Sequence, residues 1–455
     1  MREVVADAAV RQSFAHDASG LELVPESVAR PKTEADLLAL LREARADRVP
    51  VTPAGGQTST TGASITDRGI LLSLRGLTDI GEVDRQRLTV RAQAGVNLGD
   101  LKRRLAADGL LFAPDPTSED DVTLGGAIAC NASGARSLLY GATRPHIVAL
   151  RVALADASVH ELRRTRLEKN TVGYAPVHDP IDWFIGSEGT LGVILEAELS
   201  LLPLPPNVTG LAIPFPEENV ALDFIIAARS STEVSPRCLE YFDGRALEVA
   251  RTAEGAEEWA TGAGALVYVE QAAAAGSDIP LDAWLTLAQE CGAAENDILV
   301  YEGSAALRDA RRLRHTVPST MIERGNRYRS AGGRRVSTDW AVPYRHLKDA
   351  IGESRRYAAE AGIEQPVIYG HAGNGHPHQN FIARDSAELT RMEAVVEQTL
   401  RYVVSVGGTV AAEHGIGKIK RKWLSLQLTP LQLGVMAAMK HALDPAGLLA
   451  PGNLF

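Results

Sequence analysis

Histidine, whose side chain can pass a proton or hold a metal near neutral pH, is concentrated in two short stretches. His371, His376 and His378 fall within eight residues, among glycines, in the run from Tyr369 to Asn380, and Glu413 and His414 stand together in a second run from Gly407 to Gly417. Imidazole nitrogen and carboxylate oxygen are the donors that metal-assisted chemistry requires, and a neighbouring imidazole is a ready proton acceptor. A histidine standing alone is more often a surface or core hydrogen-bonder, so His146, His160, His178, His315, His346 and His441 take that reading.

Composition narrows what those groups serve. At 455 residues the chain can bury a large core and divides into two or three domains. A net charge of −10 with interspersed signs argues against a nucleic-acid surface, so any anionic substrate needs a local basic pocket. Cys130, Cys238 and Cys291 are far apart and form no CxxC pair, which excludes a cluster held by four cysteines of this chain and fits a reduced compartment. The N-terminus has no apolar signal core and no run reaches the roughly 20 apolar residues of a membrane span, so the expected location is cytoplasmic.

The elements that must position the histidines come next. Apolar residues at helical spacing predict a helix over 33–46, followed by a short strand over 49–53 that opens into a loop, 54–62, with two adjacent glycines, three threonines and a serine. Such a loop offers backbone N–H groups and hydroxyls to a phosphate. Neither GxGxxG nor GxxxxGK[ST] is present; the stretch 412–419 lacks the first glycine and the Ser/Thr of a P-loop, so NAD and ATP sites are not supported. Strands over 70–74 and 88–92 and a helix over 97–108 ending at Gly109 lead to a second glycine-rich stretch, 113–134. A strand over 147–155 leads to a third, 186–194. Small residues in that density let a large flat ligand approach the backbone, which suggests one extended cofactor. A proline-rich stop at 201–206 marks a domain boundary. Beyond it, helices over 220–229, 244–252 and 282–291, a strand over 265–271 and a basic helix over 303–324 give an α+β pattern.

The segments VTPAGGQTSTTGAS, PDPT through TLGGAIACNASGARSLLYG, and GSEGTLGVILEAELSLLPLP resemble the three FAD-binding segments of the vanillyl-alcohol oxidase flavoprotein superfamily. The resemblance covers nearly the whole chain. It implies an α+β fold of two domains: an FAD-binding domain over 1–205, an α+β substrate and metal-binding cap over 206–420, and a C-terminal segment, 421–455, returning to the first. By that resemblance Pro53, Ala54, Gly55, Gly56, Gln57, Thr58, Ser59 and Gly62 hold the pyrophosphate. Pro114, Asp115, Pro116 and Thr117 with Thr123, Gly125 and Gly126 line the ring and ribityl region, and Gly186, Glu188, Gly189, Gly192 and Ile194 close over the adenine side. Gln57 stands where some members attach flavin to a histidine, so FAD is expected to be non-covalent.

Within the superfamily the C-terminal runs are similar to the GHxGDGNxH and GEHGIG motifs of flavin-linked D-2-hydroxyacid dehydrogenases. The similarity implies His371, His378 and Glu413 as ligands of a divalent metal, with zinc the default and manganese or iron the alternatives. It implies His414 as the base beside the flavin, Asn380 as a substrate contact and Arg314 as the fork onto the substrate carboxylate. Asn374 and His376 replace the motif's Asp and Asn, which leaves His376 as a near-site residue that orients a ligand or touches substrate. Pro318 stands where one member type has a threonine contact. Ser337 stands where the D-2-hydroxyglutarate branch carries a lysine, which favours a shorter monocarboxylate, unless Arg334 or Arg335 compensates. Residues 436–446 resemble the family's closing helix, and the turn Ala450-Pro451-Gly452-Asn453 stands where the family has NPGK, which puts a flavin contact there in doubt.

The expected activity is oxidation of a D-lactate-like 2-hydroxy acid to the 2-keto acid, with glycolate or D-2-hydroxyglutarate as the runner-up substrate. A non-catalytic flavoprotein subunit and a flavin-free metal hydrolase are the readings from other classes. No NAD, haem or iron–sulfur spacing is present, so electrons are expected to leave to a separate acceptor: cytochrome c, a quinone, an electron-transfer flavoprotein or oxygen. A homodimer and peripheral membrane association are both compatible with the sequence.

Overall fold

The computed structural model describes residues 4–165, 167–174, 177–256, 258–273, 276–293 and 295–455. The chain packs as two units, one of residues 1–134, 141–204 and 413–455, the other of 135–140 and 205–412. The sequence reading placed the corresponding limits at 205/206 and 420/421, with no excursion at 135–140.

In the first unit, strands β1 (Val4–Val5), β2 (Ser27–Ala29), β3 (Val51–Ala54) and β4 (Ile70–Ser73) form a sheet ordered β1-β2-β4-β3, in which β2 and β3 both run parallel to β4. Parallel neighbours need a crossover, and the helix Glu34–Ala46 lies in the connection from β2 to β3. Thr33 starts it by accepting from the Asp36 N–H, and Leu37, Leu40, Leu41 and Ala44 are its buried stripe. The unit's other strands are β5 (Thr89–Gln93), β6 (Leu110–Leu111), β7 (Ile147–Ala153), β8 (Val159–Arg163), β9 (Val193–Ser200) and β10 (Leu202–Pro203). Four of them form an antiparallel sheet ordered β5-β9-β7-β8, and β6 pairs with β10. One continuous core joins these layers, from Leu37 and Ile70 through Val90 and Leu101 to Leu150 and Leu195.

The chain's end returns to this unit by backbone pairing: the Val51 N–H donates to Leu448 and Ala450 donates back to Val51, both at 2.8 Å. The closing helix runs Pro430–Leu443, starting six residues before the expected 436 and stopping three before 446. Thr429 and Gln432 form a reciprocal capping box and Pro430 opens the first turn, which sets the earlier start.

The second unit is built on seven strands: β11 (Val208–Phe215), β12 (Cys238–Asp243), β13 (Ala265–Ala272), β14 (Leu299–Glu302), β15 (Gly332–Ser337), β16 (Val367–His371) and β17 (His376–Asp385). They form one antiparallel sheet ordered β14-β11-β13-β12-β16-β17-β15. Helices Gly244–Glu254 and Gly303–Asn326 pack together, as do Leu347–Glu360 and Ser386–Ser405. The excursion 135–140 is clamped by charge: Arg136 places Nε and Nη2 at 2.9 and 3.1 Å from the two Glu270 oxygens, and Arg237 adds Nε at 2.7 Å. Burial pushes the Glu270 carboxyl up, but the two guanidiniums overcome it and hold it at about 2.

Candidate active site

The histidine face is a product of strand register. β16 and β17 are joined by a tight turn at Ala372–Asn374, and pairing sets His371 opposite His376 and Tyr369 opposite His378. Alternation puts 376, 378 and 380 on one face of β17, and cross-strand pairing puts His371 on the same face. Ring centroids are accordingly 5.4 Å apart for His371 and His376, 5.3 Å for His371 and His378, and 4.6 Å for His376 and His378. All three are buried, and their nearest ring nitrogens lie within 4.8 Å of one another. Asn374 points outward at the turn and is exposed.

Carboxylates stand behind two of the rings. Glu240 on β12 meets His371 Nδ1 at 2.6 Å and Arg314 Nε at 2.5 Å, and Arg314 Nη2 lies 3.2 Å from His371 Nε2. Burial pushes Glu240 up, yet Arg314 and His371 hold it near 2, so it is a carboxylate at neutral pH. Asp339 Oδ1 lies 3.1 Å from His376 Nε2, but that ring nitrogen makes no aligned hydrogen bond. Further along the same face, Arg335 Nη1 donates to Asn380 Oδ1 at 3.1 Å. Register pairs Arg335 with Ile382 and Ser337 with Asn380, so Arg335 faces the histidines' side while Arg334 turns to Glu393 at 3.0 Å. Arg335 has no carboxylate at ion-pair distance among the described residues, and burial pulls its pKa down. Pro318 lies inside the Gly303–Asn326 helix and removes the N–H that would bond the Arg314 carbonyl.

The first unit contains a cleft of about 640 Å³, its solvent-open part included, lined by residues 53–59, Gly126, Glu188, Gly189, Gly192 and Ile194. A Cβ on Gly55 would strike Thr123 Oγ1 and one on Gly56 would strike the Asp121 carbonyl, so only glycine lets this wall close. Gln57 has φ +56° and turns its amide to the carbonyls of Phe14 and His16, at 3.0 and 3.2 Å. The cleft lining does not include Gly62, Pro114, Asp115, Pro116, Thr117, Thr123, Gly125 or Gly186. Thr123 instead caps the helix Leu124–Cys130, accepting from the Gly126 N–H, and Gly125 presses on Ala94. Ser64, Leu74, Val122, Ala129 and Cys130 also line the cleft and were not singled out from the sequence; a small or apolar side chain carries no local signal of such a role.

The loop 413–417 belongs to this first unit. Ser133 Oγ donates to Glu413 Oε2 at 3.1 Å, and Glu413 Oε1 lies 3.5 Å from His414 Nε2. Glu188, from the cleft wall, accepts the backbone N–H groups of Ile416 and Gly417 at 2.5 and 2.7 Å; burial pushes its carboxyl up. Asn453 gives its amide to the carbonyls of Ala63 and Glu188 at 2.9 and 3.1 Å and accepts from Lys418 Nζ at 2.7 Å. Lys418 also reaches the Gly62 carbonyl at 3.0 Å, and burial pulls its amine down to about 8. The APGN turn thus braces the cleft's loops through backbone groups.

Each half suits one of the expected groups. The glycine-walled cleft has the close backbone approach that a dinucleotide requires, and the three buried imidazoles have the donor chemistry and outer carboxylates of a divalent-ion site.

Residues 25–163 match the family described as FAD binding domain, and residues 204–454 match that described as FAD linked oxidases, C-terminal domain. The chain is 32% identical to a D-lactate dehydrogenase of Archaeoglobus fulgidus, over 94% of this chain and 90% of the relative. It is 30% identical to the glycolate oxidase subunit GlcD of Bacillus subtilis, over 98% and 92%. Against a D-2-hydroxyglutarate dehydrogenase of Xanthomonas citri pv. viticola it is again 30% identical, over 95% and 89%. A solved alkyldihydroxyacetonephosphate synthase has the same fold, with a TM-score of 0.70 at 18% identity over 99% of this chain and 82% of that one. No helix among the described residues is long and apolar enough to cross a membrane.

Proposed function

The chain belongs to the FAD-linked oxidases, within the relatives of the 2-hydroxyacid dehydrogenases, and from that premise we propose that it oxidises D-lactate-like 2-hydroxy acids to 2-keto acids. The observation that carries this reading is the β16–β17 face, where buried imidazoles stand in line with Asn380 and a cationic Arg335. An α-hydroxy carboxylate presents a hydroxyl to be activated beside an anion to be neutralised, and that face offers a group for each.

When bound, FAD supplies the hydride acceptor, and a divalent ion supplies an electrophile that lowers the pKa of a hydroxyl it touches. His371, His378 and Glu413 would hold the ion, with Glu240 orienting the His371 ring from its Nδ1 side. The 53–59 loop and the Gly186–Ile194 wall would hold FAD non-covalently, since Gln57 is committed to backbone carbonyls. His414 takes the hydroxyl proton on an imidazole nitrogen as the C2 hydrogen leaves with its electron pair. Arg314 and Asn380 orient the carboxylate. Electrons would leave to a separate acceptor such as cytochrome c, a quinone or an electron-transfer flavoprotein, in a cytoplasmic setting.

A second reading, a longer dicarboxylate such as D-2-hydroxyglutarate, is favoured by Arg335, a partly enclosed cation with no carboxylate partner among the described residues. Steady-state turnover with an artificial acceptor tests both. The first predicts the highest kcat/KM for D-lactate among D-lactate, glycolate, D-2-hydroxyglutarate and their L-forms. A higher value for D-2-hydroxyglutarate, lost in Arg335→Ala, would move the assignment to the second, and preference for an L-form would contradict both.

A further inference from the structure

We propose that His376 is a third imidazole ligand, so that this chain holds its divalent ion in a three-nitrogen set supplied by the single β16–β17 hairpin. The proposal rests on the reading above that a metal binds here, and it gives His376 a role that the motif resemblance leaves open.

Register makes the argument. His376 and His378 are two residues apart on one strand and therefore share a face, and His371 is the direct cross-strand partner of His376. The three rings are mutual neighbours at 4.6 to 5.4 Å between centroids, with ligating nitrogens within 4.8 Å. An inward shift of about 1 Å by each ring closes that gap to the spacing of nitrogens around one ion with bonds of about 2.1 Å.

Burial adds a second argument. His376 is 4% exposed and its Nε2 makes no hydrogen bond, although the Asp339 carboxylate is 3.1 Å away. A buried polar nitrogen left unsatisfied is destabilising, a cost that a side chain serving only to pack would not impose. Beside a cation that nitrogen's lone pair or its carboxylate partner is used. Glu240 behind His371 is placed as an outer carboxylate that fixes ring orientation around a metal. Three nitrogen donors shift preference toward cobalt, nickel and zinc and away from manganese.

The test is a Co²⁺ titration of metal-stripped, FAD-loaded protein, reading affinity by chelator competition and the visible ligand-field bands. The variants are His376→Asn and His376→Gln, with His371→Asn as the reference ligand loss. Circular dichroism and FAD content report that each variant is folded. Losing an outer-shell partner costs about 10–100-fold in metal affinity, so both His376 variants are expected to weaken Co²⁺ by about 100-fold or more and to shift the bands as a nitrogen donor is lost. Unchanged affinity and unchanged bands in folded His376→Asn and His376→Gln, with His371→Asn impaired, would overturn this inference alone. Unaltered binding in His371→Asn as well, or no binding by the parent protein, would remove the metal reading with it.

Discussion

Glu188 illustrates what a residue can do beyond its motif. In the sequence it is one position in a glycine-rich wall; in the structure its carboxylate receives two backbone N–H groups of the loop that carries His414. Glu188→Ala leaves those donors unsatisfied and the loop unbraced, so the rate of flavin reduction in the FAD-loaded fraction is expected to fall about 10- to 100-fold, equivalent to about 1.4–2.7 kcal/mol; single-turnover flavin reduction measures it. Glu240→Ala removes the carboxylate behind His371 and is expected to weaken metal binding by about 10–100-fold, read by chelator competition; an unchanged affinity would take Glu240 out of the site. That His371, His376 and His378 belong together was legible because they fall within eight residues. Glu240 was not, since it reaches His371 across 131 positions and only the fold brings it there. The one available signal was a carboxylate in the middle of the strand Cys238–Asp243, all of whose residues are buried.

At the scale of elements, periodicity carried most of the reading. The helices expected over 33–46 and 97–108 are Glu34–Ala46 and Leu98–Ala107, with Thr33 and Asn97 as caps, and the strand over 265–271 is Ala265–Ala272. Strand alternation places His376 and His378 on one face, because β17 runs unbroken through both. What periodicity could not supply was pairing: that Arg335 and not Arg334 shares the histidines' face depends on the register of β15 against β17, two strands distant in sequence. Nor does any local pattern mark 135–140 as part of the second unit, since its anchor is the Arg136–Glu270–Arg237 cluster. Breaking a buried ion pair on one side costs about 3–5 kcal/mol, so Glu270→Gln is expected to lower stability by that order at pH 7. Because the Glu270 pKa is depressed from 4.5 to about 2 in the fold, its contribution is complete above pH 4.5 and is lost as pH falls toward 2. The gap between parent and variant in denaturant unfolding should therefore close over that range; a gap that stays constant from pH 7 to pH 3 would contradict the charge argument.

On the scale of the whole molecule, the three glycine-rich stretches and the two histidine-bearing runs belong to a chain that packs as two units. The cleft and the loop bearing Glu413 and His414 lie in one, and the imidazole face lies in the other. Sequence order hides this partition, because the first unit is assembled from three separate segments and the proline-rich stop marks only one of the joints. The account's central claim is that this molecule takes a hydride from a D-2-hydroxy acid. Mixing the FAD-loaded protein with D-lactate in the absence of oxygen tests it directly, with the flavin's visible absorption as the signal. Rapid bleaching by D-lactate, none by L-lactate, and none by D-lactate in a His414→Ala variant that retains FAD is the expected result. A flavin that no D-2-hydroxy acid bleaches, or one that His414→Ala bleaches as fast as the parent, would contradict it.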